Sequence, residues 1–371
     1  ASNNTGIGHE VFNALTSGDD NVGLGRKALL NLTTGINNVA IGSGALAAED
    51  TGNYNIAIGA NALSAQNTTT ANSHNVAIGD KAGEAVSTGV YNTFVGSRVG
   101  DAIDVGSENV ALGTSALADD TKGSKSTAIG RVALNAQNFT TATDTHNTAV
   151  GWYAGAAVTT GKFNTIVGSA SGDALTTGDS NTVVGYVALA ADTKGEKSVA
   201  VGEGALYTQN FTTETSSFNT AIGYNAGYAV TTGLSNTILG GAAGDALTDA
   251  DWNTAIGVNA LTADTLGSHT VAIGYGALAT QNFTTATNSF NVALGNNAGY
   301  ALQTADDCTL IGYAAGDAIT TGRQNTCVGT DAGGNITTGS YNTMIGGDTT
   351  LADATTNNAN AIGMDVTGTT G

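Results

Sequence analysis

One alternation of polar and apolar positions returns along the whole chain, as in Asn219-Thr220-Ala221-Ile222-Gly223, Asn147-Thr148-Ala149-Val150-Gly151 and Asn253-Thr254-Ala255-Ile256-Gly257. Numbering each repeat from its glycine as zero, position −1 is always Ile, Val or Leu, from Ile7 to Ile362. Position −2 is small, usually Ala, with Phe94, Ile166, Val183, Ile238, Leu310, Cys327 and Met344 as larger exceptions. The glycines run from Gly8 to Gly363 in steps of 17, lengthened to 20 or 21 at every fourth step between Gly59 and Gly295. Gly79, Gly151, Gly223 and Gly295 are therefore 72 apart (17 + 17 + 17 + 21). A fixed short period of this kind predicts a solenoid.

Within a repeat, position +3 is mostly Ala and position +4 is of two kinds. Gly155, Gly172, Gly227 and Gly244 at +4 go with aliphatic Val158, Leu175, Val230 and Leu247 at +7; Leu117, Leu134, Leu189 and Leu206 go with polar Asp120, Gln137, Asp192 and Gln209. Large groups are thus exchanged between positions, as constant-volume packing requires. Asn recurs at −4, from Asn21 to Asn342, and Thr-Thr-Gly closes many repeats. Stacked Asn side chains suit a hydrogen-bonded ladder, and the glycine suits a tight turn. No 3.6-residue period appears and Gly, Thr and Asn are poor helix formers. The expected fold is all-β: a parallel β-solenoid of about 21 coils over residues 1–371 as one continuous array. Each coil is expected to run strand, Gly turn, strand, Thr-Thr-Gly turn.

Adjacent strand residues point to opposite faces, so apolar residues at both −1 and −2 need two apolar surroundings. The expectation is that −1 fills the coil interior, so that Ile222→Asp would unfold its neighbourhood. Position −2 would form a strip ~100 Å long, at ~4.8 Å per coil, covered by a homo-oligomer, with three chains as the expected number. Neither end shows a capping element, so the array is expected to be a segment of a longer chain.

The Asn-Thr-Ala-Ile-Gly words with Thr-Thr-Gly spacers resemble the Gly/Asn/Thr-rich repeats of phage tail fibres and bacterial surface fibres. Val39 to Gly42, Val76 to Gly79 and Val271 to Gly274 are similar to the head repeats of YadA-like trimeric autotransporter adhesins. The resemblance covers nearly the whole chain. It implies a β-roll, a homotrimer, an extracellular location on a cell-surface appendage or virion fibre, and a structural, adhesive role. The adhesin head repeat is shorter than 17 residues and lacks the fourfold super-repeat, and the C-terminal chaperone domain of many phage fibres is not seen.

Composition narrows the chemistry. There are 53 glycines, no prolines and 6% aromatic residues, and the net charge is −19. Such a surface repels phosphate backbones and anionic lipid, so nucleic acid is not an expected partner. No apolar run reaches the ~18 residues of a membrane span. Cys308 and Cys327, in adjacent coils with Cα atoms expected ~8 Å apart, read as two buried thiols beyond disulfide reach. No catalytic motif stands out; Gly23-Leu24-Gly25-Arg26-Lys27-Ala28 lacks the helix a dinucleotide site needs. His74 and His146 read as exposed turn residues. Asp101, Asp173, Asp245 and Asp317, one per four coils, are too sparse for a calcium stack. No enzyme activity, cofactor or metal is expected.

The candidate binding elements are the inserts that lengthen every fourth coil. They are Gln66-Asn67-Thr68-Thr69, Gln137-Asn138-Phe139-Thr140, Gln209-Asn210-Phe211-Thr212 and Gln281-Asn282-Phe283-Thr284. Successive inserts should lie ~19 Å apart. Phe211 with Phe218, and Phe283 with Phe290, either staple the loop or offer stacking faces to a cell-surface glycan or protein receptor. Asn138, Asn210 and Asn282 also begin Asn-Phe-Thr sequons. Two rival functions are weighed against the fibre: an ice- or glycan-binding solenoid, disfavoured for ice because adjacent threonines point to opposite faces, and a polysaccharide-degrading tail fibre, which needs a paired-carboxylate cleft.

Overall fold

The computed structural model describes residues 1–68 and 72–370. The chain is all-β and is built as a parallel β-solenoid in two compact units, Ala1–Asn181 and Thr182–Gly371. Each repeat places one three-residue strand at −3 to −1, such as Thr148–Val150 or Thr220–Ile222. In the first unit ten such strands, Thr5–Ile7 to Thr165–Val167, pair in parallel with like positions aligned. In the second, eleven do so from Thr182–Val184 to Ala359–Ile362. Near the last of these, Thr367–Thr370 turns back antiparallel onto Ala359 and Asn360.

Among the described residues the expected second strand is not formed between the motif glycine and the closing turn of the coils from Gly8 to Gly329; only after Gly346 does a short one, Thr350–Leu351, pair in parallel with Thr367 and Gly368. Positions +2 and +4 adopt left-handed backbone, whether Gly or not: Asn225 at φ 52 and Gly227 at φ 59 in one coil, Ser115 at φ 56 and Leu117 at φ 53 in another. Left-handed residues break an extended run, so the second half of each coil is a chain of turns. These are closed by bonds such as Val158 N to Gly155 O (3.1 Å) and by bonds to the next coil such as Gly155 N to Ser171 O (3.0 Å).

The strand's two faces are the reverse of the sequence expectation. Position −2 is the interior one: Ala149, Phe94, Ile166, Ile238, Leu310 and Met344 are all fully buried. Position −1 faces outward, with Ile222 38% exposed and Leu24, Leu112, Leu239 and Leu294 more so. The reason lies at +4. A Cβ built on Gly100 would meet the Phe94 ring at 2.8 Å, and one on Gly155 would meet Ile166 Cδ1 at 2.9 Å. The large residues at −2 fit because glycine at +4 vacates the space in front of them. Ile222→Asp therefore puts a charge on the surface of the coil and not in its core.

The interior is closed on one side by asparagines at −4. Most accept from the backbone N–H of the residue one coil on and donate to a carbonyl fourteen residues ahead; Asn55 donates instead to the Ser73 hydroxyl, at 2.7 Å. Asn164 N donates to Asn147 Oδ1 at 2.9 Å, and Asn147 Nδ2 donates to Gly161 O at 2.7 Å. This pairs backbone groups that would otherwise be buried unsatisfied. Cys308 stands in the same column, its thiol donating weakly to Gly322 O at 3.5 Å. The motif glycine is fixed by two conditions at once: Gly151 has φ 143, and a Cβ there would lie 2.2 Å from Gly168 O.

Candidate functional site: insert loops and outward columns

The inserts are assembled around a buried carboxylate. Asp120, Gln137, Asp192, Gln209, Asp264 and Gln281 all occupy +7, and Asp and Gln fall in consecutive coils, 17 residues apart. Gln281 Nε2 donates to Asp264 Oδ2 at 2.6 Å and to Thr270 Oγ1 at 3.1 Å, while Gln281 Oε1 accepts from Asn291 Nδ2 at 2.9 Å. Asp264 Oδ1 accepts from Gly267 N at 3.1 Å and from Phe283 N at 3.0 Å, fixing the first turn of the loop. The arrangement repeats at Asp120–Gln137 and Asp192–Gln209, each at 2.6 Å, and with Glu49–Gln66 at 2.8 Å. Burial pushes the Asp192 and Asp264 carboxyls up from the ordinary value, and the glutamine and backbone donors pull back against that.

Beyond this anchor the loop returns to the preceding coil. Thr143–Asp144 pairs with Gly123–Ser124, Thr215–Ser216 with Gly195–Glu196, and Thr287–Asn288 with Gly267–Ser268, all parallel. In the first insert the corresponding link is a single bridge, Asn53 to Asn72; Thr69 lies outside the described residues.

The proposed binding residues separate into three groups. Gln137, Gln209 and Gln281 are fully buried. Phe139, Phe211 and Phe283 are 6% exposed; Phe283 lies over Gly267, where a Cβ would come within 2.9 Å of its ring. These six hold the loop to the coil and offer no face to a ligand. Asn138 and Asn210 are exposed and Asn282 half-buried, and their side-chain oxygens accept from Thr121, Thr193 and Thr265 at 3.0–3.2 Å. Phe218 and Phe290 are exposed but belong to another feature.

That feature is a column of rings at −5. His74 stacks between Tyr54 and Tyr91 at 4.9 and 5.4 Å, nearly parallel to both. His146 stacks on Phe163 at 5.6 Å. His269 lies between Trp252 and Phe290 at 4.8 and 5.2 Å, and Lys197 Nζ sits 5.3 Å from the Phe218 ring centre. His74 and His269 have a ring on each side, while the end rings of these short runs, such as Tyr91, Phe163, Trp252 and Phe290, have a ring on one side and stay exposed. With −5, −3 and −1 all pointing outward, each unit carries an outer sheet face of aromatic, Thr or Val, and Ile, Val or Leu columns.

A second ring cluster, on the corner after the motif glycine, was not singled out from the sequence. Tyr186, Tyr207, Tyr224 and Tyr228 line a groove of about 380 Å³ with Glu203 and Asn225, and Tyr275 and Tyr300 line one of about 290 Å³. The signal available in the sequence is the recurrence of Tyr at +1 and +5 in neighbouring coils.

Elsewhere the chemistry is quiet. Burial raises the Asp101, Asp173 and Asp317 carboxyls. Among the described residues no three His, Cys, Asp or Glu side chains converge as a metal site. Cys308 and Cys327 are buried free thiols, pushed by burial to about 11 and about 12. No described helix is long and apolar enough to cross a membrane. No protein-family model matches the chain, and no curated protein matches it.

Proposed function

We propose that this chain is a structural segment of an extracellular fibre or adhesin, built by self-association of its solenoid and presenting repeated loops for attachment, with no catalysis of its own. The supporting observation is the outward column at −1. Leu24, Ile78 and Leu112 in the first unit, and Ile222, Leu239, Leu294 and Ile345 in the second, are all more than a third exposed on the outer face of a regular parallel sheet. Ten coils in the first unit and eleven in the second, at ~4.8 Å each, give strips ~48 and ~53 Å long, beyond the few hundred Å² of apolar patch a soluble monomer usually shows. A second copy of the same regular face is the simplest cover, because identical columns on each chain meet in register. Three chains is the number that the resemblance to trimeric adhesin heads implies.

Mass photometry tests the assembly. Three chains would give 109.5 kDa (3 × 36.5); a stable 36.5 kDa species at micromolar concentration would overturn it. Ile222→Asp with Leu239→Asp should release folded subunits, because both side chains lie outside the core.

One observation favours a second reading of the same face. Position −3 forms a threonine column, including Thr220, Thr237 and Thr254, which points out of the sheet beside the −1 aliphatics. The turn threonines that disfavoured ice binding are not these. Thermal hysteresis from a monomeric sample would select that reading.

A further inference from the structure

Beside Glu203 the +1 column places a carboxylate between two tyrosines, a combination the +1 residues of the sequence show once. Residues at +1 stand on successive levels of one column, joined by backbone bonds: Gly204 N donates to Tyr186 O at 3.1 Å, and Asn225 N to Glu203 O at 2.9 Å. Tyr186, Glu203 and Tyr224 thus occupy three consecutive coils. The two tyrosines are 57% and 60% exposed and lie ~9.6 Å apart by level, at ~4.8 Å per coil. Behind Glu203 the wall is hollowed by Gly204, where a Cβ would lie 2.4 Å from Asn225 Oδ1. Tyr207 and Tyr228, stacked at 5.0 Å, close the far side.

The occupant is constrained by this shape. A single flat ring midway between the tyrosine levels would lie ~4.8 Å from each, within the ~4.5–7 Å at which rings stack. Its rim would meet the Glu203 carboxylate, the Asn225 amide and phenol hydroxyls, which supply both acceptors and donors. A wholly apolar ring would leave those groups unpaired at a cost. An anionic one would face Glu203 on a chain of net charge −19. A pyranose ring has apolar C–H faces and a hydroxyl rim. We infer that this groove holds one uncharged pyranose unit of a polysaccharide, Tyr186 and Tyr224 packing on its two faces. The rings that neighbour one another at −5 are 4.8–5.6 Å apart, too close to admit a sugar between them. The inference deepens the attachment role proposed above by naming a ligand class and a place for it.

The fold supplies its own control. Four coils on, Gly276 takes the place of Gly204 and Tyr300 that of Tyr228, but Val258 and Asn296 stand where Tyr186 and Tyr224 would be. That groove has lost its facing pair about the Glu203 position; Tyr275 faces Tyr313 one coil on, but across the Asn296 amide and without a carboxylate between them.

Tyrosine fluorescence of the full chain titrated with maltohexaose, cellohexaose and N-acetylchitohexaose, each to ~10 mM, tests the assignment. At least one should bind, with a dissociation constant below ~10 mM. Tyr186→Ala and Tyr224→Ala should each weaken binding about ten-fold or more, and Tyr341→Ala, an equally exposed ring outside the +1 column, less than about two-fold, with circular dichroism unchanged in all three. Binding of none of the probes, or binding unaltered by Tyr186→Ala with Tyr224→Ala, would overturn it. Mass measured on the same samples keeps the two readings apart: a monomer that binds sugar contradicts the assembly alone, and a trimer that binds none contradicts the groove alone.

Discussion

The coils that begin at Gly96 and Gly113 are neighbours, yet they fill one cross-section with different atoms. In the first, Phe94 at −2 reaches across the cavity left by Gly100, and Ile103 at +7 completes an apolar interior. In the second, Ala111 replaces the ring, Leu117 fills from the +4 side, and Asp120 enters at +7. The dry kind needs nothing from its neighbours except contact. The polar kind needs its Asp matched by Gln137 one coil on, and only there does the chain leave the coil as an insert. Loop insertion into a solenoid is thus tied to a buried polar pair, which gives the diverging backbone fixed hydrogen-bond partners.

Exchange between the two kinds gives the largest expected effect. Gly100→Leu would force a side chain into the Phe94 ring. Overpacking of this kind costs ~1–3 kcal/mol and more where backbone is the neighbour, so we expect a loss of ~3 kcal/mol or more by urea unfolding. Phe94→Ala leaves a cavity and should lose ~3–5 kcal/mol. Combined, the two substitutions recreate the Ala–Leu interior of the next coil and should lose at least ~2 kcal/mol less than the sum of the singles. The left-handed backbone is no obstacle, since Leu117 adopts φ 53 at the same position. Strict additivity would mean that −2 and +4 do not share one space.

The polar kind breaks differently. Asp264→Ala leaves one of the two Gln281 Nε2 hydrogens and the amides of Gly267 and Phe283 without an acceptor, at ~1–3 kcal/mol for a buried unpaired group. Leu247→Ala in the dry kind costs a comparable ~2–5 kcal/mol by cavity formation. The distinguishing readout is local. Asp264→Ala should bring rapid protease cleavage between residues 282 and 288 under native conditions, and Leu247→Ala should not. Equal cleavage in both would show that the loop is held by general stability and not by the carboxylate.

Much of this was legible in the sequence, and the misreadings have physical causes. The 17-residue period, the exchange between +4 and +7 and the asparagine ladder follow from spacing alone, because in-register stacking turns a sequence period into a column. The assignment of faces did not. Alternation shows that −1 and −2 diverge, but Ile at −1 looks more like core than Ala at −2. What decides the matter is the pairing of Phe94 with Gly100 and of Ile166 with Gly172, a complementarity across the coil that hydrophobicity at one position does not reveal. Asp120 and Gln137 were read as volume exchange within a coil, although a separation of 17 already made them neighbours. Phe283 reads from the sequence as either a staple for its loop or a stacking face for a ligand, because an aromatic beside polar residues fits both; Gly267, in the previous coil, is the seat that makes it the staple.

The smallest effect sharpens the same comparison through pH. In the unfolded chain Asp192 and Asp264 lose their protons near pH ~3.9. In the fold, burial holds both carboxyls above the ordinary value, against the glutamine and backbone donors that favour the charged form. Between those limits the folded state keeps protons the unfolded state has shed. Stability from these two groups therefore falls as pH rises through that window and stays level above it. The dry coils carry no titratable group at +7; their half-buried Asp101, Asp173 and Asp317 at +5 are also raised and add a slope of the same sign, but equally in a variant that differs only at Asp192 and Asp264. The negative net charge also favours the acid side through reduced self-repulsion, but equally in a variant that differs only at these sites. The wild-type melting midpoint should gain on cooling the pH from 7 to about 4.5, and Asp192→Asn with Asp264→Asn should gain less, by a few degrees at most over that range, even though it melts lower throughout for want of an acceptor. Midpoint-against-pH curves that run parallel would mean that the two buried carboxyls titrate in the fold as they do in the open chain.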